Sequence, residues 1–286
     1  MPFSLALSGG GCRGAAHIGV LMALYEADLI PESISGASAG AIVAGLFGCG
    51  KTPEQLYSIC KSLQKGGGRL IDTDIAGMAY SALLLAMGKD ITISGIMRGK
   101  RLYRLLQRLT DNRMLTDLQL PLSIAAVDLM SGETIAFSQK KPLHPIPNTR
   151  WERDVRLCDA IYSSCCLPAV FSPLKRQGEL LVDGGVADNL PVDMLHAIGA
   201  RNIIAVDVSS DYLPPDSRSL FEIAYHSISV MSGRLNDCYV RGERLLIKPK
   251  LPEKAEVFSF SLMEECIMAG HHAAKEVIEV IKMIAN

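Results

Sequence analysis

The sequence predicts an α/β fold with a mostly parallel sheet, and three observations carry that prediction. Apolar runs such as Phe3–Ser8, Leu122–Asp128 and Asn202–Val208 lack the polar alternation of a half-exposed strand and suit strands covered on both faces. Between such runs lie segments whose apolar residues recur at helical spacing, as Ile18, Leu21, Met22 and Tyr25 do. Two strand-to-helix junctions, at Gly9–Gly14 and Gly36–Gly40, are rich in glycine. With 286 residues, 49% of them hydrophobic, the chain is long enough for one large α/β domain. We read residues 1–286 as a single three-layer α/β/α domain with a variable helical insert at about 70–118.

The elements follow in chain order. The strand Phe3–Ser8 runs into Gly9-Gly10-Gly11-Cys12-Arg13-Gly14, and a helix follows from about Ala15 to Ala27. Ser33–Ser35 is a short strand, and the small apolar run Ala41–Phe47 is a buried helix that Gly50 ends. Thr52 caps the next helix, because Pro53-Glu54 suits a first turn; that helix reaches about Gln64. Lys65–Arg69, with its run of glycines, reads as a flexible break. Ile75–Met87 is apolar nearly all round, as a core helix, a lid over an acyl pocket or a lipid-facing surface would be. Lys100–Leu109 is a basic amphipathic helix, either a solvated outer face or a site for anionic headgroups. Leu122–Asp128 and Glu133–Ser138 form a hairpin through Ser131-Gly132, and Pro142–Pro147 is loop. Val155–Ser164 is helical, Pro168–Pro173 irregular, and Glu179–Val182 a strand. A helix after Pro191 ends near Gly199, Asn202–Val208 is a further parallel strand, and Leu213–Asp216 is an exposed loop. Phe221 to about Tyr239 is a helix, Arg244–Lys248 a late strand, and Leu262–Ile284 a closing helix.

Composition narrows the function. A net charge of −1 provides no field for nucleic acid. The N-terminus leads straight into a strand without a basic stretch or apolar leader, so a cytoplasmic protein is expected. None of the eight cysteines pairs as C-x-x-C and no Cys/His spacing suits zinc, so the thiols are expected reduced and buried and no metal or cofactor is expected. Cys12, inside the glycine loop near a helix start, is either a small tolerated side chain or a reactive thiol.

Three stretches carry chemistry. Gly36-Ala37-Ser38-Ala39-Gly40 reads G-x-S-x-G between a strand and a helix, the pattern that exposes a nucleophilic serine on a sharp turn. By itself the pattern also fits a tight glycine–alanine turn in a core. Strand, glycine loop and helix at residues 3–27 form a cradle of bare amides for a negative group. Gly9, Gly11 and Gly14 match a dinucleotide fingerprint, but the end of the second strand holds Ser38 where an acidic residue would bind ribose. An oxyanion hole is the competing reading, and the serine elbow one βα unit away favours it. Finally, Glu179–Val182 delivers Asp183 into a Gly184-Gly185 turn, which is also an ordinary turn dipeptide.

Taken together and in this order, over roughly residues 3–209, the three motifs resemble the patatin-like phospholipase family, bacterial type. Ala160–Pro173 is similar to that family's segment before the aspartate strand, and Asn189-Leu190-Pro191 to its helix start after Asp-Gly-Gly. The resemblance implies a patatin-like α/β/α fold and a Ser–Asp dyad without histidine: Ser38 as nucleophile, Asp183 as base. It implies the amides of Gly9, Gly10 and Gly11 as oxyanion hole, with Arg13, Gly14, Gly36, Gly40, Gly184 and Gly185 supporting the motifs. The implied activity is hydrolysis of lipid esters, as a phospholipase A or lysophospholipase, with phospholipid or lysophospholipid as substrate and peripheral contact with a membrane. Two alternatives stand beside it. One is a nucleotide-binding module built on the glycine loop. The other is a Ser-Asp-His esterase, for which His226, His271 and His272 lie downstream of Asp183, although all three fall in helical patterns. His17 lies close enough to the glycine loop to line a pocket, while its helical position suggests packing.

Overall fold

Among the described residues, nine strands form one sheet in the order β5-β4-β3-β2-β1-β8-β9, with β7 joined to β3 and β6 to β7. The strands are β1 (Ser4–Leu7), β2 (Ser33–Ala37), β3 (Leu122–Asp128), β4 (Thr134–Ser138), β5 (Thr149–Glu152), β6 (Leu174–Arg176), β7 (Glu179–Asp183), β8 (Ile203–Val206) and β9 (Leu245–Ile247). The helices are α1 (Ala15–Glu26), α2 (Ala39–Gly48), α3 (Pro53–Gly66), α4 (Lys100–Leu109), α5 (Leu157–Ser164), α6 (Val192–Ala197), α7 (Leu220–Cys238), α8 (Met263–Glu276) and α9 (Ile278–Ala285). The computed structural model describes residues 2–70, 72–73, 95–209, 220–238 and 242–285. The expected apolar helix Ile75–Met87 and the loop Leu213–Asp216 lie outside the described residues.

Parallel pairing runs through β3, β2, β1, β8 and β9, as the unalternated apolar runs imply. Helices cover both faces. Along β1, Leu5 and Leu7 enter the larger core with Ala16, Leu21 and Ile267, whereas Ala6 enters a second core with Leu190, Val192 and Leu195. Helices α1 and α8 cross closely enough that a Cβ on Gly19 would strike the Ile267 carbonyl, and one on Gly270 the Ala16 carbonyl. Glycine at this crossing lets two backbones meet without side chains between them.

Several local expectations are corrected. The glycines after Gln64 continue α3 to Gly66 and tighten into a 3-10 turn at Gly67–Leu70, where Gly67 lies against the Phe260 ring. The closing helix is two helices, broken at Val277, whose φ of −111° leaves the helical region. Strands β5 and β6 escape the sequence reading because they are short and half-buried. They are tied together by Arg150 and Arg176, which bond Glu152 and Glu179.

β2 and β7 lie on the same edge of β3, end to end. Residues 34–37 of β2 pair with Leu122–Ala125, and residues 181–183 of β7 pair with Ala126–Asp128 in the opposite direction. The two strands approach head-on, and the residues where they meet are Ser38 and Asp183.

Candidate active site

Ser38 occupies the turn between β2 and α2, with φ 52° and ψ −120°. A side-chain-bearing residue is rare in that region and is held there only when its surroundings over-determine it. The elbow is tight: a Cβ on Gly36 would lie 2.5 Å from the Gly40 carbonyl carbon, and one on Gly40 would strike the Leu7 carbonyl. Helix α2 starts at Ala39 without a side-chain cap, so its first amides face the turn.

From the other side, β7 ends at Asp183, and the two motifs distant in sequence are brought together. The Ser38 hydroxyl donates to Asp183 Oδ2 at 2.6 Å. Asp183 Oδ1 accepts the Gly185 amide at 2.8 Å in the Gly184–Val186 turn. The carboxyl group is 2% exposed, and burial lifts its pKa to about 6, against the two hydrogen bonds that favour the charged form. A carboxylate so placed is basic enough to take a proton from a bound hydroxyl and remains ionised near neutrality.

The glycine loop lies across the elbow from Asp183. A Cβ on Gly9 would sit 3.0 Å from the Ser38 Cβ. The Gly9 amide donates to the Asn189 carbonyl at 3.0 Å, while among the described residues the Gly10 and Gly11 amides enter no backbone hydrogen bond. Of the three expected donors, Gly10 and Gly11 are thus the two without a backbone acceptor among the described residues. The Cys12 amide donates to the Val257 carbonyl at 3.1 Å, which holds the loop from outside. Arg13 is half-buried and donates from Nε to the Gly10 carbonyl at 3.3 Å. Gly14 packs against Ala39 of α2, and Gly184 against the Ala125 carbonyl.

His17 does not line a pocket. It is wholly buried, with Nε2 2.8 Å from the Ser8 carbonyl, and burial lowers its pKa to about 4. The neutral ring donates from Nε2 and fixes the residue from which the glycine loop departs. Ser8 is held a second time, its hydroxyl accepting the Val208 amide at 2.8 Å. Cys12 is buried and its thiol is pushed up to about 12, chiefly by desolvation, so the reactive-thiol alternative fails. Cys49, Cys60, Cys158, Cys165, Cys166 and Cys266 are likewise free and buried.

Among the described residues no histidine is hydrogen-bonded to Ser38 or Asp183. The Asp183 side chain bonds Ser38 and Gly185. His271 lies on α8 against Glu26 of α1, at 3.0 Å, and His272 pairs with Glu276. His226 sits within α7. Three residues that matter to the geometry were not singled out from sequence as site residues: Asn189, whose carbonyl and side chain contact the glycine loop, and Ser164 and Cys165 at the end of α5, which bond the Ser38 backbone. Small polar residues at a helix end or in the turn after a strand give no local signal of such contacts. Among the described residues no group of three or more His, Cys, Asp or Glu is arranged to hold a metal, and no helix is long and apolar enough to cross a membrane.

A mostly parallel sheet between helices, with a serine elbow hydrogen-bonded to a buried aspartate, defines a class: α/β proteins that pair a serine on a strand-to-helix turn with a carboxylate. Residues 5–196 match the family described as patatin-like phospholipase, and the chain belongs to that family. An uncharacterized NTE family protein of Mycobacterium tuberculosis is 29% identical over 212 residues, covering 74% of this chain and 50% of that protein. Mouse patatin-like phospholipase domain-containing protein 6 is 26% identical over 273 residues, covering 92% of this chain and 17% of that protein. The chain thus spans about half the length, or less, of these relatives. Among solved structures, VipD from Legionella pneumophila shares the fold with a TM-score of 0.52 at 16% identity, over 98% of this chain and 67% of that one.

Proposed function

We propose that the chain is a serine acyl-ester hydrolase of lipid esters, with phospholipase A or lysophospholipase activity. The observation that carries the reading is the 2.6 Å hydrogen bond from Ser38 Oγ to a buried Asp183 carboxylate. A serine hydroxyl is a weak nucleophile until a base removes its proton. Here Asp183 Oδ2 takes the proton as Oγ attacks the ester carbonyl carbon. The carbonyl oxygen becomes an oxyanion, which we assign to the Gly10 and Gly11 amides; losing one such donor costs about 3–4 kcal/mol in the transition state. Collapse breaks the bond to the alcohol oxygen, and protonated Asp183 returns its proton to that leaving group. Water then attacks the acyl-Ser38 carbonyl, giving its proton to Asp183, and the second collapse frees the fatty acid and re-protonates Ser38.

The burial of Asp183 supports a dyad over a triad, since a carboxylate with a pKa of about 6 needs no imidazole to act as base near neutral pH. Ester and thioester leaving groups suit such a two-residue site better than amides. We assign substrate selection to residues 70–118, whose described part includes α4 with Lys100, Arg101, Arg104 and Arg108 exposed along it. That basic face suits peripheral contact with anionic headgroups. Family membership supports a lipid ester as substrate.

A panel of intact and lyso-phospholipids, with fatty acid release followed for wild type and Ser38→Ala, tests the reading. Release by wild type and its absence in the variant is the expected result. Equal release by both would remove Ser38 from the chemistry. Protection against thermal unfolding by NAD or ATP, without turnover of any ester, would favour the nucleotide-binding alternative.

A further inference from the structure

We propose that Ser164, Cys165 and Cys166, consecutive residues at the end of α5, form a positioning clamp that holds the backbones of Ser38 and Asp183 and sets the distance between them. The inference rests on the hydrolase reading above. The Ser164 hydroxyl accepts the Ser38 amide at 2.8 Å. The Cys165 thiol donates to the Ser38 carbonyl at 3.3 Å. The Cys166 carbonyl accepts the Asp183 amide at 3.0 Å. One short stretch therefore grips both backbone groups of the nucleophile and the amide of its base.

The contacts fall where the fold needs them. Ser38 precedes the first turn of α2, so its amide has no partner within that helix. It also holds a positive φ that ordinary side chains avoid, so its backbone relaxes unless neighbours fix it. Ser164 and Cys165 are buried, so solvent does not replace them. Asp183 reaches the site as the last residue of a strand whose register places it opposite Ala126, next to the Ala125 that pairs with Ala37, and the contacts from the end of α5 hold the two strand ends from a second side.

The clamp is itself stiff. The Cys165 amide bonds the Tyr162 carbonyl at 2.9 Å, and the Cys166 amide the Ser163 carbonyl at 3.2 Å, closing the last turn of α5. The Tyr162 ring packs edge-on against Tyr103 of α4, with centroids 5.3 Å apart. Pro168 then ends any continuation of the helix.

The test uses Ser164→Ala with Ser164→Thr, and Cys165→Ala with Cys165→Ser, assayed on a soluble p-nitrophenyl ester and with a fluorophosphonate probe. Ser164→Ala should lower kcat by about 10- to 100-fold with KM within about twofold, the loss expected when a reacting group shifts by a fraction of an ångström to one ångström. The rate of probe attachment to Ser38 should fall by the same factor. The acidic limb of kcat/KM should move to higher pH, because Asp183 loses the Ser38 hydrogen bond that favours its ionised form. Ser164→Thr, which keeps the accepting hydroxyl, and Cys165→Ser, which replaces the S–H donor with an O–H donor, should retain most of kcat. A folded Ser164→Ala with unchanged kcat, labelling rate and acidic limb would overturn the proposal. Should Ser164→Ala not fold, the cysteine pair decides, and equal kcat for Cys165→Ala and Cys165→Ser overturns it. If wild-type Ser38 takes no probe and no ester is cleaved, the hydrolase reading fails first, and the clamp with it.

Discussion

The two flanks of the serine elbow hold buried titratable groups of opposite kinds. On the β1 flank, His17 is wholly buried and neutral, its pKa lowered to about 4, and it spends its N–H on the Ser8 carbonyl. On the β7 flank, Asp183 is equally buried but must be charged to act, its pKa raised to about 6. Desolvation dominates both shifts. It makes the histidine a dependable structural strut and the aspartate a base, so the same physical cause supports scaffold on one side and chemistry on the other. The hydrogen bonds oppose burial on both flanks: the Ser8 carbonyl favours the charged ring, and the Ser38 hydroxyl and Gly185 amide favour the anion.

The largest expected effect separates the flanks by activity. Ser38→Ala and Asp183→Asn should each lower ester turnover by roughly 10⁴-fold or more, as measured by kcat in a continuous esterase assay. His17→Gln keeps a donor for Ser8 and should retain far more activity. Comparable losses in all three would make the β1 flank part of the chemistry.

Stability against pH sharpens the comparison, because the two groups oppose each other. Unfolded histidine has a pKa of 6.5, so His17 contributes fully above that pH and its contribution is lost as pH falls from 6.5 to about 4. Asp183, raised from 3.8 to about 6, contributes fully below 3.8 and loses that contribution as pH rises through about 6. Each amounts to about 3 kcal/mol, so in wild type they largely cancel between pH 4 and 6.5. Asp183→Asn should expose the His17 slope, with stability falling on acidification, and His17→Gln the opposite slope. Urea titrations at pH 4.5 and 7.5 read both, and parallel behaviour of the two variants would contradict the assignment.

Smaller effects test the scaffold behind each flank. Gly19→Val, at the crossing of α1 with α8, should destabilise by about 1–3 kcal/mol through overpacking, seen as a lower Tm. His271→Ala removes a surface pair with Glu26 and should change stability by less than about 0.5 kcal/mol, with turnover unaffected. A large loss of turnover there would revive a histidine base.

What sequence made legible, and what it did not, follows the same division. Ser38 and Asp183 announce themselves because each sits in a glycine turn at the end of an apolar strand, a local pattern tied to local backbone demands. The parallel sheet is legible because its strands are buried on both faces and show no alternation. The head-on meeting of β2 and β7 is not legible, since it arises from two strands sharing one edge of β3, a long-range register. The bonds from Ser164 and Cys165 depend on that meeting. The glycine crossing of α1 and α8 was missed because a lone glycine in a helical pattern reads as a weak position until its partner helix is known. The His17 position in the sequence fits both pocket and core, and only the Ser8 contact decides for the core.

The most direct measurement is mass-spectrometric mapping of a fluorophosphonate adduct on the wild-type chain and on Asp183→Asn. One adduct on Ser38, forming much more slowly in Asp183→Asn, is the predicted result. An adduct on another residue, or equal rates of attachment to Ser38 in the two proteins, would contradict a serine activated by that aspartate.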